Sequence, residues 1–354
     1  MSKTLAYNLS FLELQASLTK LGYPSYRAKQ VWDGLYRQLW ANFEEFTNLP
    51  LTMRNELSEA FLISSLNSRI SLNSKDEQTT KTLFDLGDSN QIETVLMRYE
   101  NRSTVCVSSQ AGCALGCTFC ATGQMGLRRN LSVGEIVEQV IHFARIAQSE
   151  GQPLTNVVLM GMGEPFHNYD AVMGAIDRLN DPTGFNMGAR RFTISTVGLI
   201  PGIKRFTKEN RQIGLAISLH AADDKLRSEM LPVNDRYPIK DLMLACKNYL
   251  ENVGRRITFE WALIDGVNDS EQQAHKLAKL IQEMSVHVNV IPLNPTKGFS
   301  GQRSTHHRVS AFRDVLQSYG ISCTVRVRRG IDIMAGCGQL AESELDQETI
   351  QISN

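Results

Sequence analysis

The chain has 354 residues, 42% hydrophobic and 21% charged, which fits a globular protein with one large catalytic domain and a smaller appendage. Its 37 basic residues balance 37 acidic ones, so overall charge does not announce a nucleic-acid partner, and no signal-peptide core or run of membrane-spanning length interrupts it. A cytoplasmic protein without membrane contact is expected, whose seven cysteines serve as metal ligands or catalytic thiols rather than structural disulfides.

Residues 1–75 read as a small helical domain. Ser10-Phe11-Leu12-Glu13 is a capping-box pattern opening an apolar-periodic run, and a second helix is expected from about Ser25 to Trp40, burying Val31, Trp32, Leu35 and Leu39. Arg27, Lys29 and Arg37 lie on that segment, which could dock on structured RNA or form a solvated lid. Other basic residues gather at Arg128-Arg129, Arg190-Arg191, Arg255-Arg256 and Arg326, Arg328, Arg329. Residues 76–102 change period: Thr82–Leu86 and Ile92–Met97, separated by Gly87-Asp88-Ser89-Asn90, predict a β-hairpin. A strand from Ser103 to Ser109 carries Cys106 and leads into the most informative stretch.

That stretch, Gly112-Cys113-Ala114-Leu115-Gly116-Cys117-Thr118-Phe119-Cys120, places three thiols at C-x3-C-x2-C spacing. Soft sulfur ligands select zinc or iron–sulfur clusters. Structural zinc normally takes four ligands, whereas three thiolates on a [4Fe-4S] cluster leave one iron open. The spacing resembles the signature of radical S-adenosylmethionine (SAM) enzymes, in which the open iron binds SAM. A zinc loop completed by a distant His or Cys is the alternative.

Downstream, Ser132-Val133-Gly134-Glu135 is a further capping box, and strands are expected at Asn156–Met160, Arg191–Ser195, Gly214–Leu219, Arg256–Ile264 and His287–Ile291. With the strand before the cysteines this makes six βα units, hence an α/β fold with a parallel sheet curled into a partial (β/α)6 barrel over residues 103–345, with a tail over 346–354. Chemistry in such barrels sits at the C-terminal strand ends. There stand Gly163 and Glu164, Ser195, Ser218 and His220, and Asn294. They supply an acceptor for an amino group, hydroxyl partners for a ribose and a glycine-lined approach for an adenine.

Cys337 lies in Gly336-Cys337-Gly338 after the last strand, in what reads as a mobile, open loop. Cys106 precedes the cluster by seven residues. Two thiols converging on one pocket permit covalent catalysis with release through a disulfide. Cys246 and Cys323 lie in apolar-periodic segments and read as packing residues.

Together with Cys106–Cys113, Met160–Pro165, Ser218–Ala221, Asn234–Pro238, Gly266–Asp269 and Ala335–Leu340, these features resemble the RlmN/Cfr family of radical SAM RNA methyltransferases. The resemblance implies that Cys113, Cys117 and Cys120 ligate a [4Fe-4S] cluster, and that Gly163, Glu164, Ser195, Ser218, Leu219, His220 and Asn294 contact SAM. It also implies two SAM molecules per turnover: one methylates Cys337, and the other yields a radical that activates this methyl for addition to an adenine carbon. Cys106 then forms a disulfide with Cys337 and frees the base, with Glu93 as proton acceptor. The implied substrates are an adenine of 23S rRNA and adenine 37 of some tRNAs. An electron donor such as flavodoxin and a monomeric state are implied as well. Gly163-Glu164-Pro165 resembles the C2-methylating RlmN branch. Cfr-type C8 methylation of 23S rRNA, which confers antibiotic resistance on ribosomes, is the alternative, and a radical SAM activator of a partner protein is a more distant one.

Overall fold

The computed structural model describes residues 3–327 and 329–341. Arg328, the last residues of the expected barrel domain and the expected tail lie outside the described residues.

A short strand β1 (Thr4–Leu5) precedes α1 (Phe11–Lys20), which starts on the expected capping box: Ser10 Oγ accepts the Glu13 N–H and the Glu13 carboxylate accepts the Ser10 N–H. In α2 (Tyr26–Tyr36), Val31, Trp32 and Leu35 are buried as the periodicity requires, but the helix stops before Trp40. Leu39 turns to φ 57° and the Trp40 N–H folds back on Gly34 O at 2.9 Å, which seats Trp40 edge-on against Phe46 with centroids 4.7 Å apart. α3 (Leu51–Ala60) runs into β2 (Phe61–Leu62), parallel to β1.

Helix does not continue to residue 75. β3 (Asn67–Asn73) is an edge strand, in which Ile70 and Leu72 alternate with polar neighbours at a period of two. The expected hairpin follows as β4 (Thr79–Asp85) and β5 (Gln91–Tyr99), and β6 (Arg102–Cys106) pairs antiparallel with β5. This strand ends at Cys106 rather than Ser109. The Gln139 side-chain amide accepts the Ser108 N–H at 2.8 Å and donates to Ser108 O at 3.0 Å, so the backbone leaves the sheet with its polar groups satisfied.

β7 (Gln110–Cys113) and β8 (Gly126–Asn130) form a separate antiparallel ribbon that carries the cysteine loop and the short α4 (Ala121–Gln124). Helices and strands then alternate: α5 (Val133–Ser149), β9 (Asn156–Leu159), α6 (Tyr169–Asn180), β10 (Phe192–Thr196), α7 (Ile200–Glu209), β11 (Gly214–Ser218), α8 (Asp224–Met230), α9 (Ile239–Val253), β12 (Ile257–Leu263), α10 (Glu271–Ile281), β13 (Val286–Pro292), α11 (His306–Ser318) and β14 (Ser322–Val325).

One ten-stranded sheet has the order β14-β13-β12-β11-β10-β9-β6-β5-β4-β3. It is parallel from β14 to β6 and antiparallel from β6 to β3. The six expected βα units run from β6 to α11, and the order is linear, so the barrel is partial. β14 is a further parallel strand that its short, half-exposed Ser-Cys-Thr-Val sequence does not advertise. Along β13, Val286, Val288 and Val290 pack into the hydrophobic core while Asn289 and Ile291 line the lumen, the period-two division of a half-buried strand. Among the described residues no helix is long and apolar enough to cross a membrane.

Candidate active site

The cysteine loop closes over the C-terminal strand ends. Cys113 ends β7, Cys117 lies in the turn and Cys120 caps α4. The Leu115 N–H donates to the Cys113 sulfur, and the N–H groups of Thr122 and Gly123 donate to the Cys120 sulfur. Such donors stabilise thiolates and orient them. Burial otherwise pushes the Cys113 thiol up to about 12 and Cys117 well above its ordinary range. Both would therefore stay protonated as free thiols and lose their protons to a bound metal. Three soft sulfur donors on one loop, one short of the four that close a structural zinc site, fit a [4Fe-4S] cluster that keeps one iron open. Phe119 lies edge-on to His220 with centroids 4.9 Å apart, shielding this side of the loop.

Below the loop is a cavity lined by Cys117, Cys120 and the expected strand-tip residues Gly163, Glu164, Ser195, Ser218, His220 and Asn294. Gly163 holds φ at 98°, and a Cβ there would meet Gln110 Cβ at 2.5 Å, so only glycine lets the turn pass. The next residue, Glu164, is buried, with Oε1 accepting from the Phe166 N–H and Oε2 from the Val197 N–H, each at 3.0 Å. Burial pushes its carboxyl up to about 7. Ser195 and Ser218, on adjacent strands, bring their hydroxyls within 3.4 Å. His220 adopts φ 59° and its Nδ1 accepts the Ala262 N–H at 2.9 Å. Burial holds the ring neutral by lowering its pKa to about 3, so Nε2 carries the proton. Leu219 is placed differently from the expectation: its side chain is in the hydrophobic core, and its backbone bonds to Glu260 and Arg227.

Cys337 is exposed, but its segment is anchored rather than free. The Ala121 N–H donates to Gly338 O at 2.8 Å and Asn294 Nδ2 donates to Cys337 O at 3.2 Å. A Cβ on Gly336 would meet Asn294 Nδ2 at 2.5 Å. Gln339 bonds back to the Gly336 N–H and across to Pro295 O. Cys337 lines the cavity above and also a second cavity lower in the barrel, which Cys106 lines too. The two thiols thus face one space. Glu93 lines neither cavity; it is buried on β5, paired with Lys81 Nζ at 2.8 Å, and accepts the Ala341 N–H. Cys246 is fully buried and Cys323 partly so, as packing residues.

Three residues gain a place at the site that the sequence reading did not give them. Arg326 Nη1 lies 3.7 Å from the Cys337 sulfur, and Glu260 lines both cavities. A charged residue inside the apolar strand Ile257–Leu263 was the available signal for Glu260. Gln110 Oε1 accepts the Glu164 N–H at 2.8 Å and so sets the glutamate's position.

A three-cysteine loop above an open parallel barrel, facing a cavity into which the strand tips bring polar groups, defines the radical SAM class. Residues 107–278 match the family model of the Radical SAM superfamily, and residues 6–63 match the ribosomal RNA large subunit methyltransferase N-terminal domain. The chain is 50% identical to the dual-specificity RNA methyltransferase RlmN 1 of Myxococcus xanthus, over 94% of this chain and 93% of that one. It is 44% identical to the ribosomal RNA large subunit methyltransferase N of Nitrosopumilus maritimus, over 94% and 97% of the two chains. A crystal structure of a radical SAM methyltransferase from Sphaerobacter thermophilus superposes with a TM-score of 0.95 at 48% identity, covering 96% of this chain and 100% of that one. The chain belongs to the RlmN family of radical SAM RNA methyltransferases, enzymes that use a [4Fe-4S] cluster and SAM.

Proposed function

We propose that this enzyme methylates C2 of an adenine in 23S rRNA and in tRNA at position 37, with Cys337 as the methyl carrier. The observation that carries the reading is the position of Cys337, which lines both the cavity beneath the cysteine loop and the cavity shared with Cys106. A group there can take a methyl from one side and present it on the other.

Cys113, Cys117 and Cys120 hold the cluster, and Glu164, Ser195, Ser218, His220 and Asn294 hold SAM, with Gly163 allowing close approach. The cluster, when bound, supplies the electron that cleaves SAM and starts radical chemistry. C2 of adenine is electrophilic and has no acidic proton, so transfer of a methyl cation finds no nucleophile there, whereas a carbon radical can add. The Cys337 sulfur attacks the methyl of one SAM and keeps it. After hydrogen removal its carbon adds to the base; the adduct would return one electron to the cluster, and Glu93 takes the proton from the ring carbon once the segment at Ala341 lifts away. Cys106 loses its proton and attacks the Cys337 sulfur; the carbon–sulfur bond breaks, the freed carbon takes a proton to become the methyl group, and the disulfide that forms is reduced by an external dithiol before the next turnover. Burial pushes the Cys106 thiol up to about 12, with the Arg326 guanidinium opposing that rise, so it stays protonated and unreactive until the step that needs it.

Gly163-Glu164-Pro165 supports C2 over C8. A flavodoxin-like donor and a monomeric enzyme complete the reading. The test is mass spectrometry of nucleosides from rRNA and tRNA after anaerobic incubation with reconstituted enzyme, SAM and reductant. The expected product is 2-methyladenosine; 8-methyladenosine alone, or no methylated adenosine, contradicts it.

A further inference from the structure

Glu260 lies in the middle of β12 and is only 4% exposed, between the apolar Phe259 and Trp261. Its Oε1 accepts from Asn289 Nδ2 at 2.9 Å, but Oε2 is buried with no hydrogen-bond partner among the described residues. Such orphaned buried acceptors are rare and call for an explanation. The surrounding network fixes its polarity. Asn289 Oδ1 can only accept, so His287 Nε2, 3.1 Å away, carries the proton, and His287 Nδ1 accepts from the Ser322 hydroxyl at 2.8 Å. The donors run from Ser322 inward to Glu260, whose Oε2 has no partner among the described residues while the residue itself lines both cavities. Burial raises the Glu260 carboxyl, while the Arg326 guanidinium and the Asn289 amide oppose that rise and favour the carboxylate.

The lower cavity is where an acceptor base can meet both thiols, because Cys106 and Cys337 line it together with Glu260. It shares Thr193 and Thr258 with a surface groove lined by Arg190, Arg255 and Arg256, at the N-terminal ends of β10 and β12. Arg102 lines the cavity itself. Arg190 and the Arg255-Arg256 pair thus lie beside the cavity, where a phosphate backbone can be held.

Resting on the function proposed above, we infer that the target nucleotide enters the barrel from this N-terminal end and that Glu260 Oε2 accepts a hydrogen bond from the exocyclic amino group of the adenine. Guanine carries a carbonyl at that ring position and would set lone pairs against the carboxylate, so the same contact rejects it. Glu260 is then a recognition residue for the base, separate from the groups that hold SAM.

The test pairs a protein change with a base change. One RNA hairpin that the wild-type enzyme methylates at a single adenosine is compared with the same hairpin carrying purine riboside there, which lacks the amino group. Wild type should prefer adenosine by about 10- to 100-fold in kcat/KM. Glu260→Leu should lose about the same factor on adenosine and treat the two RNAs alike. Glu260→Gln, which keeps an acceptor oxygen, should retain part of the preference. SAM affinity and the methyl on Cys337, read by protein mass, should be unchanged, and Glu260→Leu should still fold, because the orphaned acceptor it removes offsets the loss of the partner of Asn289 Nδ2. Equal use of both RNAs by wild type, undiminished preference in Glu260→Leu, or a defect confined to SAM binding overturns the inference. A wild-type enzyme that makes no methyladenosine at all removes the underlying reading instead, and is distinguished by that result.

Discussion

Lys81 and Glu93 form a 2.8 Å ion pair with side chains only 4% and 2% exposed, and each grips one end of the segment carrying Cys337. Lys81 Nζ reaches Met334 O at 3.4 Å, and Glu93 Oε2 accepts the Ala341 N–H at 2.9 Å. Burial pushes the Glu93 carboxyl up and Lys81 pulls it back, so the charge depends on its partner. Lys81→Met strands that carboxylate and should cost roughly 3–5 kcal/mol, read as a lower thermal midpoint. Lys81→Met with Glu93→Leu should recover most of the stability but not RNA methylation. A single mutant as stable as wild type would show that the pair does not couple to the fold.

Arg227 ties the strand tips together from a fully buried position. Its guanidinium donates to Val197 O at 2.5 Å, to Leu219 O at 3.2 Å and to Asn234 Oδ1 at 2.8 Å. Burial lowers its pKa to about 10, which leaves it cationic at neutral pH. Arg227→Met should destabilise the protein by about 3–5 kcal/mol in denaturant unfolding, because buried acceptors lose their donors. Arg227→Lys should rescue only part of this, since an ammonium cannot reproduce the planar fork.

Glu164 sets a pH dependence for SAM binding. Burial pushes its carboxyl up to about 7, so the cavity holds a neutral acid below that pH and a carboxylate above it. In the function proposed above, the amino group of SAM donates its N–H to that carboxylate. Affinity should therefore fall as pH drops below about 7, approaching tenfold per pH unit. Calorimetric titration at several pH values should show this slope in wild type and a flat, weaker profile in Glu164→Gln. An equal slope in the variant would assign the titration elsewhere.

How much of this was legible in the sequence depended on whether a feature was local. The cysteine loop, the capping boxes at Ser10 and Ser132 and the polar strand tips each occupy a few adjacent residues, and each reads directly. Leu219 lies between Ser218 and His220, which both line the cavity, while its own side chain enters the core, so any part it has in the site falls to its backbone. Glu260 and Arg326 gain meaning only where β12 and the chain after β14 meet across the barrel. β3 is a largely exposed edge strand and β14 a short, half-exposed one, and neither carries the continuous apolar run that marks the central strands. The anchoring of the Cys337 segment was invisible for a further reason: its partners Lys81, Glu93, Thr122 and Asn294 are scattered along the chain.

The central claim is that Cys337 delivers the one-carbon unit to RNA and that Cys106 releases it. Its most direct test is anaerobic turnover with SAM, reductant and RNA by Cys106→Ala, resolved by denaturing electrophoresis and mass spectrometry of the protein. The account predicts RNA left covalently joined to Cys337 through one carbon, with no free methylated product, and no adduct when Cys337→Ala is added. Methyladenosine formed by Cys337→Ala at the wild-type rate would contradict it.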